Sequence, residues 1–114
     1  MEDWWITDYQ AHFNETPSTL MIDCIEATEV LCLSLHNREK LCADLHKIEH
    51  FFRRKSNAGY VALQRRILSL LTSNAKERYE QLLLQYPALF QRVPKTLIAS
   101  YLGVSRETLS RLSS

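Results

Sequence analysis

The chain has 114 residues, 46% of them hydrophobic, and a formal net charge of +1; it can bury one modest core, or two small ones that lean on a partner, and is too short for a large monomeric enzyme. No apolar run approaches the roughly 20 residues of a membrane span, and the acidic, aromatic start at Met1 to Trp5 is unlike a basic secretory leader, so a cytoplasmic protein is expected. The charge is divided: Met1 to His50 carries ten acidic and three basic residues, net −7, and the remainder eleven basic and three acidic, net +8, the polarity of a half that meets phosphate joined to a half that does not.

Met1 to Ser34 has the alternation and turn signals of short strands. Trp4 to Thr7 is one candidate. Thr19 to Ile25 and Glu29 to Ser34 form a hairpin pattern, with Leu20, Ile22 and Cys24 alternating on one strand, Val30, Cys32 and Ser34 on the other, and Glu26-Ala27-Thr28 between them. So few strands would leave Trp4, Trp5, Ile6, Tyr9 and Phe13 seeking cover. Cys24, Cys32 and Cys42 lack Cys-x-x-Cys spacing and are expected as free thiols of a reducing compartment.

From Leu35 the period becomes helical, with Leu41, Leu45, Ile48 and Phe52 on one stripe and Ser34 or Asn37 as N-cap. Beside it Cys42, His46 and His50 follow at i, i+4 and i+8, a spacing that would hold a zinc or iron ion with an outside ligand. A partly solvated helix flank is the commoner meaning of such a row, and no metal site is assigned. Phe51 to Leu71 is expected as one long helix with Phe52, Gly59, Ala62, Leu63, Ile67 and Leu70 near one seam; Gly59 costs roughly 1 kcal/mol against alanine in a helix, which points to close packing or a bend there. Arg65 and Arg66 are adjacent and cannot both face that seam, so at least one is solvated or paired.

Asn74 and Glu77 have capping-box spacing, and Ala75, Tyr79, Leu82, Leu83 and Tyr86 make the apolar face of a helix that Pro87 stops. Phe90 to Val93 is expected as a short extended link, and Pro94 as the start of the next helix. Pro94 to Leu112 then forms two short helices joined by a tight turn. Ile98 and Leu102 share a face of the first, Leu109 and Leu112 a face of the second, Ala99 is small where crossing helices approach, and Gly103 supplies a positive φ. Ser105 is an N-cap, and Arg106, Glu107, Ser110 and Arg111 are left outward as a row able to reach base edges.

Ala99, Gly103, Leu109 and Leu112 together match the spacing of a helix-turn-helix, and Ser-Arg-Glu-Thr-Leu-Ser-Arg at Ser105 to Arg111 resembles the recognition helix of the Crp/Fnr family of bacterial transcription regulators. ALQRRI at Ala62 to Ile67 and EDWWITDY at Glu2 to Tyr9 extend the resemblance more weakly over the chain. It implies that the strands are the later part of a β-roll sensor domain whose earlier strands are missing, that the long helix pairs with its copy along a two-fold axis, and that RNA polymerase is a further partner. The family's ribose and phosphate positions fall at Thr7-Asp8 and Ser18-Thr19. No arginine stands there for a phosphate, so no cyclic-nucleotide cofactor is expected. Family members usually continue into a wing, which this chain, stopping at Ser114, is expected to lack.

The expected fold is therefore α+β and predominantly α: partial β-roll strands with their following helix at 1–50, a dimerisation helix at 51–71, and a helix-turn-helix, winged-helix-like domain at 72–114. Base readout is assigned to Arg106, Glu107, Ser110 and Arg111, phosphate contact to Lys95, Thr96, Ser105, Thr108 and Arg92, and the homodimer interface to Phe52, Gly59, Leu63, Ile67 and Leu70. There is no Gly-rich phosphate loop, Gly-x-Ser-x-Gly or His-Glu-x-x-His, so no enzyme is expected. The function that follows is a dimeric regulator on double-stranded DNA with inverted-repeat sites; the alternative is a dimerisation fragment whose helix-turn-helix is not used on DNA.

Overall fold

The computed structural model describes residues 4–114. Met1, Glu2 and Asp3, which open the acidic start and hold the first two residues of the EDWWITDY match, lie outside them. Seven helices follow in order: α1 (Tyr9–Asn14), α2 (Leu35–Asp44), α3 (His46–Thr72), α4 (Ala75–Gln85), α5 (Leu89–Arg92), α6 (Lys95–Leu102) and α7 (Arg106–Leu112). The chain divides into two compact units, the first ending at Arg53 and the second running Arg54–Ser114. The expected boundaries at 50 and 71 both fall within α3, most of which is compact with the helices that follow it.

Among the described residues there is no strand and no sheet, which corrects the α+β expectation: the fold is all-helical, with no β-roll remnant and no wing strand. Trp4 to Thr7 is irregular. Through Thr19 to Ser34 the backbone forms no ladder, and local side-chain bonds shape it instead: Ser18 Oγ accepts the Leu20 N–H (3.2 Å), Cys24 N–H donates to Asp23 Oδ1 (2.9 Å), and Thr28 Oγ1 donates to Glu26 O (2.8 Å). Alternation records which side chains would share a face, but a strand also needs a neighbour for its N–H and C=O groups, and a lone hairpin is marginal in water. Leu20, Met21, Ile22, Ile25, Val30 and Leu31 accordingly stay exposed.

In the first unit, Asp8 organises the chain around α1. Its Oδ1 accepts the Ala11 N–H (3.1 Å), capping the helix, while Oδ2 accepts from Ser18 Oγ (3.0 Å), Thr19 N–H (3.0 Å) and Leu20 N–H (3.3 Å). The N–H groups of Ala11 and Thr19 contribute most to holding its carboxyl at about 2, below the ordinary 3.8, with Ser18 and Leu20 adding to them against partial burial. Its folded value lies below its unfolded one, so its stabilisation is present above the ordinary value and is lost as pH falls toward about 2. Tryptophan emission should report this loosening through Trp4 and Trp5 on acid titration, and Asp8→Asn should flatten that transition while lowering stability at neutral pH.

The same unit has an aromatic cluster. Phe52 is buried, Trp5 meets it edge-on at 5.0 Å between ring centroids, Phe51 adjoins it at 5.3 Å, and the Arg38 guanidinium lies 4.3 Å from the Phe52 centroid and 5.0 Å from that of Phe13. Edge-on rings and a cation over a ring face both favour these geometries. Ser34 caps α2 by accepting the Asn37 N–H at 3.2 Å. The stripe expected to run from Leu41 into Phe52 is interrupted at Leu45, whose extended backbone (φ −131°, ψ 105°) separates α2 from α3. Cys42 and His46 thus belong to different helices, and among the described residues no three metal-ligating side chains come together.

The second unit is built on its caps and one core. Asn74 and Glu77 form a complete capping box at the start of α4, and Leu82 of α4 packs with Ile98, Ala99, Leu102 and Leu109, ringed by Tyr79, Tyr86, Leu89, Phe90, Val93 and Val104. The extended link expected at Phe90 to Val93 is instead the last part of α5 and its cap. Leu89 N–H reaches Tyr86 O (3.0 Å) and Val93 N–H reaches Leu89 O (2.9 Å), while Tyr79 and Phe90 meet edge-on at 5.4 Å. Burial of Leu89 and Phe90 against this core favours the turn. Among the described residues, no helix is long and apolar enough to cross a membrane.

Candidate nucleic-acid interface

Helices α6 and α7 are joined by Gly103, Val104 and Ser105, and α4 packs against both. Gly103 has φ +69°. Its N–H bonds Ser100 O (3.1 Å) and the Val104 N–H bonds Ala99 O (3.0 Å), a closure that needs a left-handed residue and makes glycine the natural occupant. Ala99 is buried at the crossing and Leu109, 2% exposed, is driven into the core from the other side of the turn.

With Leu109 inward, α7 presents Arg106, Glu107, Ser110 and Arg111 to solvent; all four are exposed. Ser105 caps the helix by accepting the Thr108 N–H (3.1 Å), its Oγ lies 3.1 Å from Thr108 Oγ1, and Thr108 Oγ1 accepts from Arg111 Nη2 at 3.3 Å. Glu107's carboxyl is lowered, chiefly by its own backbone N–H and the Ser105 hydroxyl, with the Arg106 and Arg111 cations adding, so it remains a carboxylate and an acceptor between two arginines.

The residues assigned to phosphate are placed less uniformly. Lys95 and Thr96 open α6 and Arg92 closes α5, all exposed. Ser105 is exposed and Thr108 half-buried, and their hydroxyls are engaged in the cap of α7.

The seam on α3 is partly redrawn. Leu63, Ile67 and Leu70 are 56%, 48% and 43% exposed, and Tyr60, which the sequence reading passed over, is 72% exposed. Tyr60, Leu63, Ile67 and Leu70 follow 3-4-3 spacing, the a/d pattern of a two-helix seam. Phe52 lies off that register and is buried in the aromatic cluster, so it is corrected from the interface to the core of the first unit. Close packing expected at Gly59 is not met within the chain: no atom lies within 4 Å of where its Cβ would be. The heptad spacing was the signal that would have found Tyr60.

Arg66, of the pair expected to be solvated or paired, finds a partner that nothing local marks, and Arg78 escaped the sequence reading altogether. Arg66 of α3 donates from Nη2 to Tyr101 O (2.9 Å) with its guanidinium carbon 3.6 Å from the Tyr101 ring centroid; Arg78 of α4 donates from Nε to Leu102 O (3.0 Å) and from Nη1 to Ser73 O (2.6 Å).

No family model, curated protein or solved structure matches the chain.

Proposed function

We propose that this chain is a cytoplasmic, sequence-specific DNA-binding transcription regulator of the Crp/Fnr type, acting as a homodimer on inverted-repeat sites and carrying no catalytic activity. The observation that carries this reading is the exposed row Arg106, Glu107, Ser110 and Arg111 on a helix whose opposite face is locked by Leu109. Arginine can donate two hydrogen bonds to guanine O6 and N7; glutamate accepts from cytosine N4 and repels phosphate, so its place between two arginines favours base readout over simple charge attraction. The net charge of +8 after His50 supports the same reading.

Selection from random duplexes tests it. Wild type should recover an inverted repeat with half-sites about 10 base pairs apart, or a multiple of that. Arg106→Ala or Arg111→Ala should cost about 1–3 kcal/mol at one G·C pair and relax preference there, whereas Lys95→Ala should weaken all sequences alike and lower the salt slope by about 1. Recovery of the same motif by wild type and Glu107→Ala would remove Glu107 from the readout set. Failure of wild type to bind any duplex in a salt-dependent way would favour the dimerisation-fragment alternative.

Cyclic AMP and cyclic GMP should give no heat in calorimetry. The Ser18, Thr19 and Leu20 donors that would have to meet a phosphate already hold the Asp8 carboxylate, which would repel one. Micromolar binding of either nucleotide would overturn this expectation.

A further inference from the structure

The four last carbonyls of α6 can be accounted for one by one, and the accounting joins the seam helix to the DNA-facing helices. A helix C-terminus leaves its final carbonyls without intrahelical donors. Here the turn takes two, through Val104 N–H on Ala99 O and Gly103 N–H on Ser100 O. The other two are taken from outside the helix pair: Tyr101 O by Arg66 and Leu102 O by Arg78. Both donors are cations at the negative end of the α6 dipole, where they are favoured. Arg78 also holds Ser73 O, just past the end of α3.

Arg66 does more than satisfy a carbonyl. Its guanidinium lies against the Tyr101 ring while bonding the same residue's backbone, so two separate contacts hold it to one residue. It stands on α3 among the seam residues Leu63, Ile67 and Leu70, and all these residues belong to the compact unit Arg54–Ser114. Any helix that pairs along this seam is thereby connected to α6 and through the Gly103 turn to α7, Arg66 being the contact that leaves α3 itself for the α6 backbone.

Resting on the DNA-binding reading, we infer that Arg66, with Tyr101 as its platform, is a positioning residue that fixes α6 and α7 against the seam-bearing helix and so sets which half-site spacing a dimer accepts. It touches no base in this role. Its loss should leave recognition of a half-site intact and blur the distance between two of them.

The experiment uses the full chain and duplexes carrying the selected half-site singly, or as inverted pairs whose spacing is varied by one or two base pairs. Wild type should prefer one spacing by about tenfold or more, and Arg66→Ala should reduce that preference to about threefold or less with single-half-site affinity and dimer mass unchanged. Tyr101→Leu, which removes the ring and keeps the carbonyl, should move in the same direction; Tyr101→Phe, which keeps both, should behave as wild type. If Arg66→Ala fails to fold, the two Tyr101 variants carry the test. Equal spacing selectivity in wild type, Arg66→Ala and Tyr101→Leu overturns the inference and leaves DNA binding standing, as does a wild type that binds every spacing equally. A wild type that binds no duplex overturns the DNA reading and the inference with it.

Discussion

Leu109→Ala should destabilise the second unit by about 2–5 kcal/mol, the range for removing a fully packed leucine and leaving a cavity. Leu109 is 2% exposed and packs with Leu82, Ile98, Ala99 and Leu102. Against the roughly 5–15 kcal/mol that separates folded from unfolded domains, that loss is large, and a unit this small stands toward the lower end. Urea unfolding followed by circular dichroism should show the midpoint fall sharply. Leu84→Ala provides the contrast: that side chain is 87% exposed, and its removal should change stability by no more than about 0.5 kcal/mol. Equal effects at the two positions would mean that α7 does not dock through Leu109, and the outward row on its other face would lose its basis.

Ile67→Glu should convert the proposed dimer to monomer. Ile67 is 48% exposed within the single chain and sits between Leu63 and Leu70 in a 3-4-3 row with Tyr60, so a second helix laid on this row would bury it at a central position. A glutamate there would face its own copy across a two-fold axis, placing two carboxylates in a closing apolar seam, which carries a heavy desolvation and repulsion cost. Sedimentation equilibrium at tens of micromolar should read a dimer for wild type and a monomer for the variant, and affinity for an inverted repeat should fall to that for one half-site. Val61→Glu, on an exposed position outside the a/d register, should leave the mass unchanged. Dissociation by Val61→Glu with Ile67→Glu still dimeric would move the interface to another face of α3.

What could be read along the chain was mostly what acts within one helical turn. Ser34, the Asn74–Glu77 pair and Ser105 cap the helices they were expected to cap, because a cap is a bond between groups three residues apart. Gly103 adopts the positive φ that its place in the turn required. The row Arg106, Glu107, Ser110 and Arg111 is exposed for the same reason: once Leu109 is inward, helical geometry decides the opposite face. Failures arose where the deciding partner is distant or absent. Alternation at Leu20, Ile22 and Val30 suggested a hairpin, yet among the described residues no strand forms, and the segment settles into turns held by its own Ser, Asp and Thr side chains.

The sequence by itself therefore determined the helical segments of the second unit other than α5, the caps at Asn74 and Ser105 and the side chains that the last helix exposes, since each depends on periodicity and neighbours a few bonds away. Only the tertiary structure decided that the strand candidates remain irregular, that Phe52 turns into a cluster with Trp5 and Arg38 instead of the seam, and that Arg66 and Arg78 close the end of α6 from 35 and 24 residues away. The physical reason is common to all three. A strand's ladder, a ring's stacking partner and a carbonyl's outside donor are each supplied by a remote part of the chain, and local pattern records the need for such a partner without recording which residue meets it.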